Sequence, residues 1–321
     1  MRANGGERPS INPARRGKVT RLANRLWLWL ALLAWATAVR AGLPTGEARL
    51  LLDIAGKGDS ALSLPSDVTV TDGRVYVVDS GNRRIAVFDR TGKFLFAMGK
   101  GLLKAPVGIG KDGKGRIYAA DRGTGRVEVF TAGGKHLRTI ELQHGDGAPA
   151  RPIDVAVEPD GRRLYITTND RHSLLTLDAR GAFSGEWGEN GPEEGEFRYP
   201  GTLMLLPGNR LAIVDILNTR IQLFERNGRF LTVLGRWGVT PGHLFRPKGI
   251  ALDRKGRLLV SDSYMGVIQV FRDDGQFLHV LGSKGEVLRL GTPVGMTVDD
   301  AGRLYVARMR ENRVSVFELE Y

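Results

Sequence analysis

The feature that most constrains this chain is a repeat that recurs six times between residue 65 and the carboxyl terminus. Each copy opens with a proline, which is followed by an apolar stretch, a tight turn and a second apolar stretch. The opening residues are Pro65, Pro106, Pro152, Pro200, Pro247 and Pro293, at spacings of 41, 46, 48, 47 and 46 residues. Such periods are typical of solenoids and propellers, in which each repeat is one supersecondary unit.

Each repeat contains short apolar runs with the period of β-strands, bounded by Gly, Asp and Asn. Four such strands per repeat predict an all-β fold: a six-bladed β-propeller of four-stranded antiparallel blades. The sixth repeat ends after its third strand, and the run Leu50–Gly56 resembles the missing fourth. We therefore expect the last blade to be closed by this N-terminal strand, which would hide otherwise exposed sheet edges. The predicted propeller domain is 42–321.

Residues 1–41 have the order of an export signal. Basic residues precede the apolar run 26–39, and small-residue cleavage patterns follow it. This predicts an exported protein, periplasmic or secreted to the extracellular side, or membrane-anchored by residues 26–39 if the signal peptide is not cleaved. The formal net charge is +12, but eight basic residues and one acid in 1–41 leave only +5 for the remainder. We therefore predict no nucleic-acid partner.

The motifs inside the repeats resemble a known family. Tyr76-Val-Val-Asp79-Ser-Gly-Asn82-Arg-Arg84-Ile and Asp215-Ile-Leu-Asn218-Thr-Arg220-Ile are similar to the NHL repeat. The chain thus resembles NHL-repeat six-bladed β-propellers of the exported bacterial type. The resemblance concerns the fold, and one fold hosts many functions.

The turn after the second strand carries the first candidate site residues. Asp residues close that strand, and Arg84, Arg126, Arg220 and Arg313 open the next one. Two interpretations stay open: ion pairs that hold the turn, or a cationic ring at the mouth of the central channel. The pattern is broken by Leu174 and Val267 at the Arg position and by Arg308 at the Asp position. The resulting candidates for a specific site are Asn169, Asp170, Arg171, His172, Tyr264, Met265, Arg308 and Arg310.

Two further sets of candidates lie in the channel and on the long loops. Asp67 and Asp154 should face the channel, either as ligands of a hard cation or as solvated acids. The acidic loop 185–200 and the basic loop 235–247 carry Trp187 and Trp237 at equivalent places. These tryptophans either fill gaps between blades or act as anchors for a protein partner.

The favoured function is a non-catalytic scaffold that binds a protein or ligand through its long-loop face. Its partner would be another envelope or extracellular protein, or a small ligand at the channel mouth; the only membrane contact would come from an uncleaved signal peptide. The alternative is a propeller enzyme, a lyase or hydrolase, that uses the channel. Arg84 and Arg220 resemble arginines of the zinc-dependent amidating lyases. In that family the zinc histidines directly follow a blade-opening Pro, and because no His does so here, this version is disfavoured. Cysteine is absent, which excludes thiolate metal sites. We expect no cofactor, no metal site and no catalytic residue.

Overall fold

The structure is a computed structural model that describes residues 44–320. The predicted signal peptide and the terminal Tyr321 lie outside the described residues, so export and anchoring stay predictions. The described part consists of β-strands joined by turns and loops, with short 3-10 turns at Gly58–Ser60 and Ser80–Asn82. Among residues 44–320, no helix has the length and hydrophobicity of a transmembrane segment.

Four sheets each contain four antiparallel strands that are consecutive in the chain. The first contains β2 (Pro65–Thr71), β3 (Arg74–Asp79), β4 (Arg84–Asp89) and β5 (Phe94–Met98). The second contains β6 (Pro106–Lys111), β7 (Ile117–Asp121), β8 (Arg126–Phe130) and β9 (His136–Glu141). The third contains β10 (Pro152–Val157), β11 (Arg163–Thr168), β12 (Ser173–Asp178) and β13 (Phe183–Trp187). The fourth contains β14 (Pro200–Leu206), β15 (Arg210–Asp215), β16 (Arg220–Glu225) and β17 (Phe230–Leu234).

The remaining strands form one sheet of nine strands. Its members are β1 (Thr45–Ile54), β18 (Pro247–Leu252), β19 (Leu258–Asp262), β20 (Val267–Phe271), β21 (Phe277–Ser283), β22 (Glu286–Val287), β23 (Pro293–Val298), β24 (Arg303–Arg308) and β25 (Arg313–Leu319). Their order is β18-β19-β20-β21-β1-β25-β24-β23, and β22 pairs with β21.

The prediction of six separate four-stranded blades is therefore wrong. The described chain has four separate blades and one continuous sheet, and the cause lies in β1. This strand begins at Thr45, five residues before the predicted Leu50, and both of its edges are paired. It runs antiparallel to β25, with Ile54 opposite Val314, and parallel to β21, with Thr45 opposite Val280. The outer edge of β21, which the sequence pattern leaves unpaired, is thus hydrogen-bonded to β1.

The first strand of each repeat lies innermost, and these strands contact one another in a closed succession: β2, β6, β10, β14, β18, β23 and again β2. Apolar side chains of adjacent strand groups pack between them, as Val75 and Phe88 do with Tyr305. Each innermost strand begins at its proline opposite the residue that ends the second strand, as Pro65 lies opposite Asp79. We call this end of the propeller the loop end and the opposite end the turn end.

Candidate functional site

The innermost strands enclose a central cavity of about 210 Å³. Asp67, Asp154 and Thr202 line it, as do Lys111 and Met296. The sequence therefore placed both carboxylates correctly toward the centre. They are buried, however, with exposed fractions of 6% and 4%.

Both carboxylates accept hydrogen bonds from backbone amides of neighbouring innermost strands. The amide of Ile109 donates to Asp67 Oδ2 at 3.1 Å, and the amide of Leu203 donates to Asp154 Oδ2 at 3.0 Å. Burial raises the pKa of Asp67 to about 7, although the amides of Val68 and Ile109 oppose this shift. Burial and the charge of Asp67 raise the pKa of Asp154 well above its usual range. The two carboxylates therefore link neighbouring innermost strands. The charge of one carboxylate disfavours ionisation of the other.

The Asp-x-x-Asn-x-Arg motif holds the incoming loop. Asp79 accepts a hydrogen bond from the amide of Ser63 at 2.7 Å, and its other oxygen accepts from Asn82 and Arg84. The Arg84 guanidinium also donates to the carbonyls of Asp59 and Ala61. Residues Asp215, Asn218 and Arg220 repeat this arrangement around the loop that ends at Pro200. Arg84 and Arg220 thus form the ion pairs of the first interpretation.

The other arginines that the motif singled out also have partners. Arg126 pairs with Glu141 at 2.8 Å, and Arg313 pairs with Asp53 at 2.9 Å. Arg308 donates to the carbonyl of Leu290 and to Ser315 Oγ. A role in binding a partner stays a prediction for this set of arginines.

The third repeat contains a polar cluster of which the sequence singled out only Asp170. Its Arg position is Ser173, which lies opposite Thr168, and not Leu174 as the sequence alignment indicated. His144 is buried there between two carboxylates, with Nδ1 2.7 Å from Glu186 and Nε2 2.9 Å from Asp170. Ser173 donates to the same Glu186 oxygen at 2.6 Å. Hydrogen bonds from Ser173 and His144 outweigh the effect of burial and lower the pKa of Glu186.

His172 lies beside this cluster but serves another contact. It has a left-handed backbone, with φ 56°. Its Nδ1 accepts a hydrogen bond from the amide of Tyr199 at 2.9 Å, which ties the third sheet to the loop before Pro200. No sequence signal distinguished His144 from the other histidines, because its two carboxylates lie 26 and 42 residues away.

Trp187 and Trp237 are not equivalent in the structure. Trp187 ends β13 and packs on Phe224, with ring centroids 4.6 Å apart. Trp237 is 67% exposed. The matching bridges are Asn190 with Phe197 and Trp237 with Leu244, so Asn190 is the counterpart of Trp237. Trp187 therefore fills a gap between sheets, and only Trp237 is available as an anchor.

Exposed apolar side chains gather at the loop end. Trp237 and Leu217 are the most exposed large apolar residues in the described chain, at 67% and 62%. Leu64 and Tyr264 are also exposed at this end, and Tyr264 stacks on Phe245 with centroids 4.2 Å apart. Exposed aromatic and aliphatic groups beside polar side chains are typical of interaction surfaces.

The loop end also carries unpaired positive charge. The four-residue segments around the repeat-opening prolines and just after the second strands contain nine Lys or Arg and two Asp or Glu. Seven of these cations have no ion pair or side-chain hydrogen bond among residues 44–320. We call them the mouth cations: Arg83, Arg122, Arg151, Arg198, Arg246, Lys248 and Arg310. Burial and the charge of Arg246 lower the pKa of Lys248.

Within residues 44–320, no group of three or more His, Asp or Glu is placed to hold a metal ion. The polar clusters around His144 and the cavity carboxylates are satisfied by hydrogen bonds inside the protein.

The sequence comparisons support an NHL-type propeller. Residues 62–88 match the NHL repeat. A relative, the peptidyl-glycine alpha-amidating monooxygenase A of Xenopus laevis, is 33% identical over 88 residues. That alignment covers 25% of this chain and 9% of the relative's length.

Solved structures share the fold at low sequence identity. A putative gluconolactonase has a TM-score of 0.65 at 18% identity, over 87% of this chain and 95% of that one. A streptogramin B lyase has a TM-score of 0.62 at 15% identity, over 85% and 98%. Virginiamycin B lyase from Staphylococcus aureus has a TM-score of 0.58 at 19% identity, over 79% and 80%. These similarities show the propeller fold.

Proposed function

We propose that this NHL-repeat propeller is a non-catalytic binding module whose loop end docks a protein partner. The observation that carries the proposal is the exposure of Trp237, Leu217 and Tyr264 on one end of a rigid scaffold. Binding energy at protein interfaces is concentrated in a few aromatic and apolar anchors surrounded by polar groups. The partner would be an envelope or extracellular protein if the predicted export occurs.

The loops that carry these anchors are held firmly. In the loop 235–247, Gln269 accepts from the amide of Gly242 at 2.8 Å and donates to the carbonyl of His243. Asp262 accepts from the amide of Phe245, directly beside the Tyr264 stack. A loop fixed in this way loses little conformational entropy on binding, which favours affinity.

Site-specific photocrosslinking in the native host tests this function. A photoreactive amino acid is placed at Trp237 or Leu217, and at Leu95 or Leu137 as matched exposed positions on outer strands. We expect discrete crosslinked adducts from the first pair and not from the second. Equal adducts from both pairs, or adducts only from Leu95 and Leu137, would contradict docking at the loop end.

A second candidate function is an enzyme that uses the cavity. It is favoured by the Asp67 pKa of about 7, since acid–base catalysis needs a group that titrates near the working pH. Against it, both oxygens of Asp67 and of Asp154 already accept backbone amides. A turnover that Asp154→Asn abolishes while the fold stays intact would favour this second function.

A further inference from the structure

We propose that the mouth cations bind an acidic peptide segment of the partner, with its apolar side chains seated on Trp237, Leu217 and the Phe245–Tyr264 stack. This inference rests on the proposed function and names the chemistry that the loop end recognises. Tyr264, Trp237 and Arg310 were candidates from the sequence, and Arg246 and Phe245 lie in the basic loop 235–247; the other residues of this site were not candidates from the sequence.

Within the described part of the chain, the mouth cations have no acidic side chain in contact with them, unlike three arginines at the turn end. At the turn end, Asp112, Asp253 and Asp299 each pair with the arginine four residues later, at 2.6–2.7 Å. At the loop end, the two acids in the corresponding segments are already engaged. Asp170 contacts His144, and Glu311 accepts from the amide of Thr292. Cations that have no acid in contact attract an anionic partner and raise its association rate.

The mouth cations surround the centre. Residues just before each proline are hydrogen-bonded to residues just after the second strand, as Arg122 is to Ala105, Leu217 to Arg198 and Ser263 to Arg246. Because the innermost strands follow one another around the cavity, these pairs lie around its loop end. Every repeat contributes at least one mouth cation. An anion placed near the centre therefore meets positive charge from several directions.

The acidic loop 185–200 limits the size of that anion. Glu189, Glu193 and Glu194 are exposed on the same end of the propeller. They would repel a broad anionic surface such as a bilayer, and like charges at close range oppose binding. A narrow acidic segment can instead cross the mouth and avoid them.

The aromatic groups favour peptide side chains over nucleic-acid bases. Phe245 and Tyr264 are stacked on each other at an interplanar angle of 29°, so their facing surfaces are already covered. Each of these two rings therefore has at most one free face for stacking a base. Leu217 and Leu64 are aliphatic and suit apolar peptide side chains.

Fluorescence anisotropy with the full-length protein tests the inference. The probe is a labelled peptide of four Glu, one Phe and four Glu, compared with the same peptide carrying Gln for Glu. We expect the Gln peptide to bind at least about tenfold more weakly, and the affinity of the Glu peptide to fall as salt rises. Equal affinity for both peptides would overturn the proposal.

A charge-reversal pair locates the site. The first variant combines Arg151→Glu, Arg198→Glu and Arg246→Glu, three exposed mouth cations. The control combines Lys114→Glu, Lys135→Glu and Arg254→Glu, three exposed cations of the turn end. We expect the first to weaken the Glu peptide at least about tenfold and the control to change it less than about threefold. Equal losses would overturn the proposal, and thermal melting of both variants verifies that they fold.

Competing polyanions provide the remaining outcomes. Tighter binding to anionic phosphatidylserine vesicles or to a single-stranded oligonucleotide than to the peptide, lost in the first variant, would replace the acidic peptide by that class. If Trp237 crosslinks a protein in the host but the Glu peptide does not bind, the proposed function stands and this inference fails. If neither occurs, both fail.

Discussion

At the scale of single residues, the closeness of the innermost strands depends on glycine. A Cβ atom added to Gly249 would lie 2.1 Å from the carbonyl oxygen of Val294 on the next innermost strand. Backbone atoms cannot move aside as a side-chain end can, so Gly249→Ala should force β18 and β23 apart. We expect a loss of about 1–3 kcal/mol in the free energy of unfolding, measured by denaturant titration.

The matched control for that substitution is Gly133→Ala. An added Cβ there has only Thr131 Oγ1 within range, at 3.8 Å. This variant should unfold within about 0.5 kcal/mol of the wild type. If Gly249→Ala lowers the free energy of unfolding no more than Gly133→Ala does, the innermost strands can separate without a measurable loss of stability.

The buried carboxylates Asp67 and Asp154 should make the stability of the fold depend on pH in a defined direction. Because the pKa of Asp67 rises from an unfolded value near 3.8 to about 7, the folded state holds its proton more tightly. Stability from this group is therefore complete below about pH 4 and declines as the pH rises toward 7. Asp67→Asn should lower stability at pH 5, because its amide cannot accept from both backbone donors, but the gap should narrow by pH 8. If the difference in melting temperature between the wild type and Asp67→Asn stays constant from pH 5 to pH 8, the raised pKa of Asp67 is contradicted.

Single residues also show where sequence reasoning succeeds and where it stops. The alternation of a strand placed Asp67 and Asp154 toward the centre, because side-chain direction follows the period of two. The sequence pattern nevertheless assigned Leu174 instead of Ser173 to the Arg position, although the turn from Thr168 to Ser173 is as long as the turn from Asp79 to Arg84. Apart from Arg310, no mouth cation was a candidate from the sequence, because their unpaired state depends on which partners the neighbouring acids have in the folded structure.

At the scale of elements, two buried glutamines hold equivalent long loops. Gln222 on β16 donates to the carbonyl of Glu196 at 2.7 Å and accepts from the amide of Gly195 at 3.0 Å, as Gln269 does in the next repeat. Gln222→Ala would leave these groups unpaired, at a cost of about 1–3 kcal/mol. We expect faster hydrogen exchange in residues 189–199 and a lower melting temperature. Gln276→Ala, at an exposed turn-end position, should change neither.

The loops also show why Trp187 and Trp237 were aligned incorrectly. Both belong to a Trp-Gly pair, and sequence similarity alone matches them. In the structure the equivalent glycines are Gly188 and Gly235, each with positive φ and each covered by a buried side chain, Phe197 or Leu244. The buried side chain, Phe197 or Leu244, lies nine residues after its glycine in each loop, and this contact shows which positions of the two loops are equivalent.

At the scale of the whole molecule, the ends of the repeat array are joined by β1. The sequence predicted pairing with the last repeat from its missing strand, but it gave no sign of the parallel contact with β21. That contact depends on Thr45–Glu47, outside any repeat pattern, and on the Glu47 carboxylate, which accepts from the amides of Lys284 and Gly285. The number of separate sheets is therefore a property of the closed structure and is not encoded in any single repeat.

This junction should control the stability of the entire propeller. Removing residues 44–54 would unpair β25 and uncover apolar side chains that now pack on Ala48 and Ile54, both 1% exposed. Losses of roughly 1.5–3 kcal/mol for each large side chain would consume much of a typical stability of about 5–15 kcal/mol. Relative to a chain that begins at residue 44, the shortened chain should aggregate or melt at least about 10 °C lower.

A pair of substitutions within β1 tests the same junction without a deletion. Ala48 is buried among Leu281, Phe317 and Leu319, so Ala48→Glu would bring a carboxylate into the core between β21 and β25. Leu50, two residues further along, is 51% exposed, so Leu50→Ser should change the melting temperature by only about a degree. We expect Ala48→Glu to lower it as strongly as the deletion does, because unpairing β1 opens both of its neighbours together. If Ala48→Glu and Leu50→Ser have the same melting temperature, β1 does not hold the two ends of the repeat array together. The continuous sheet then contributes little to closing the propeller.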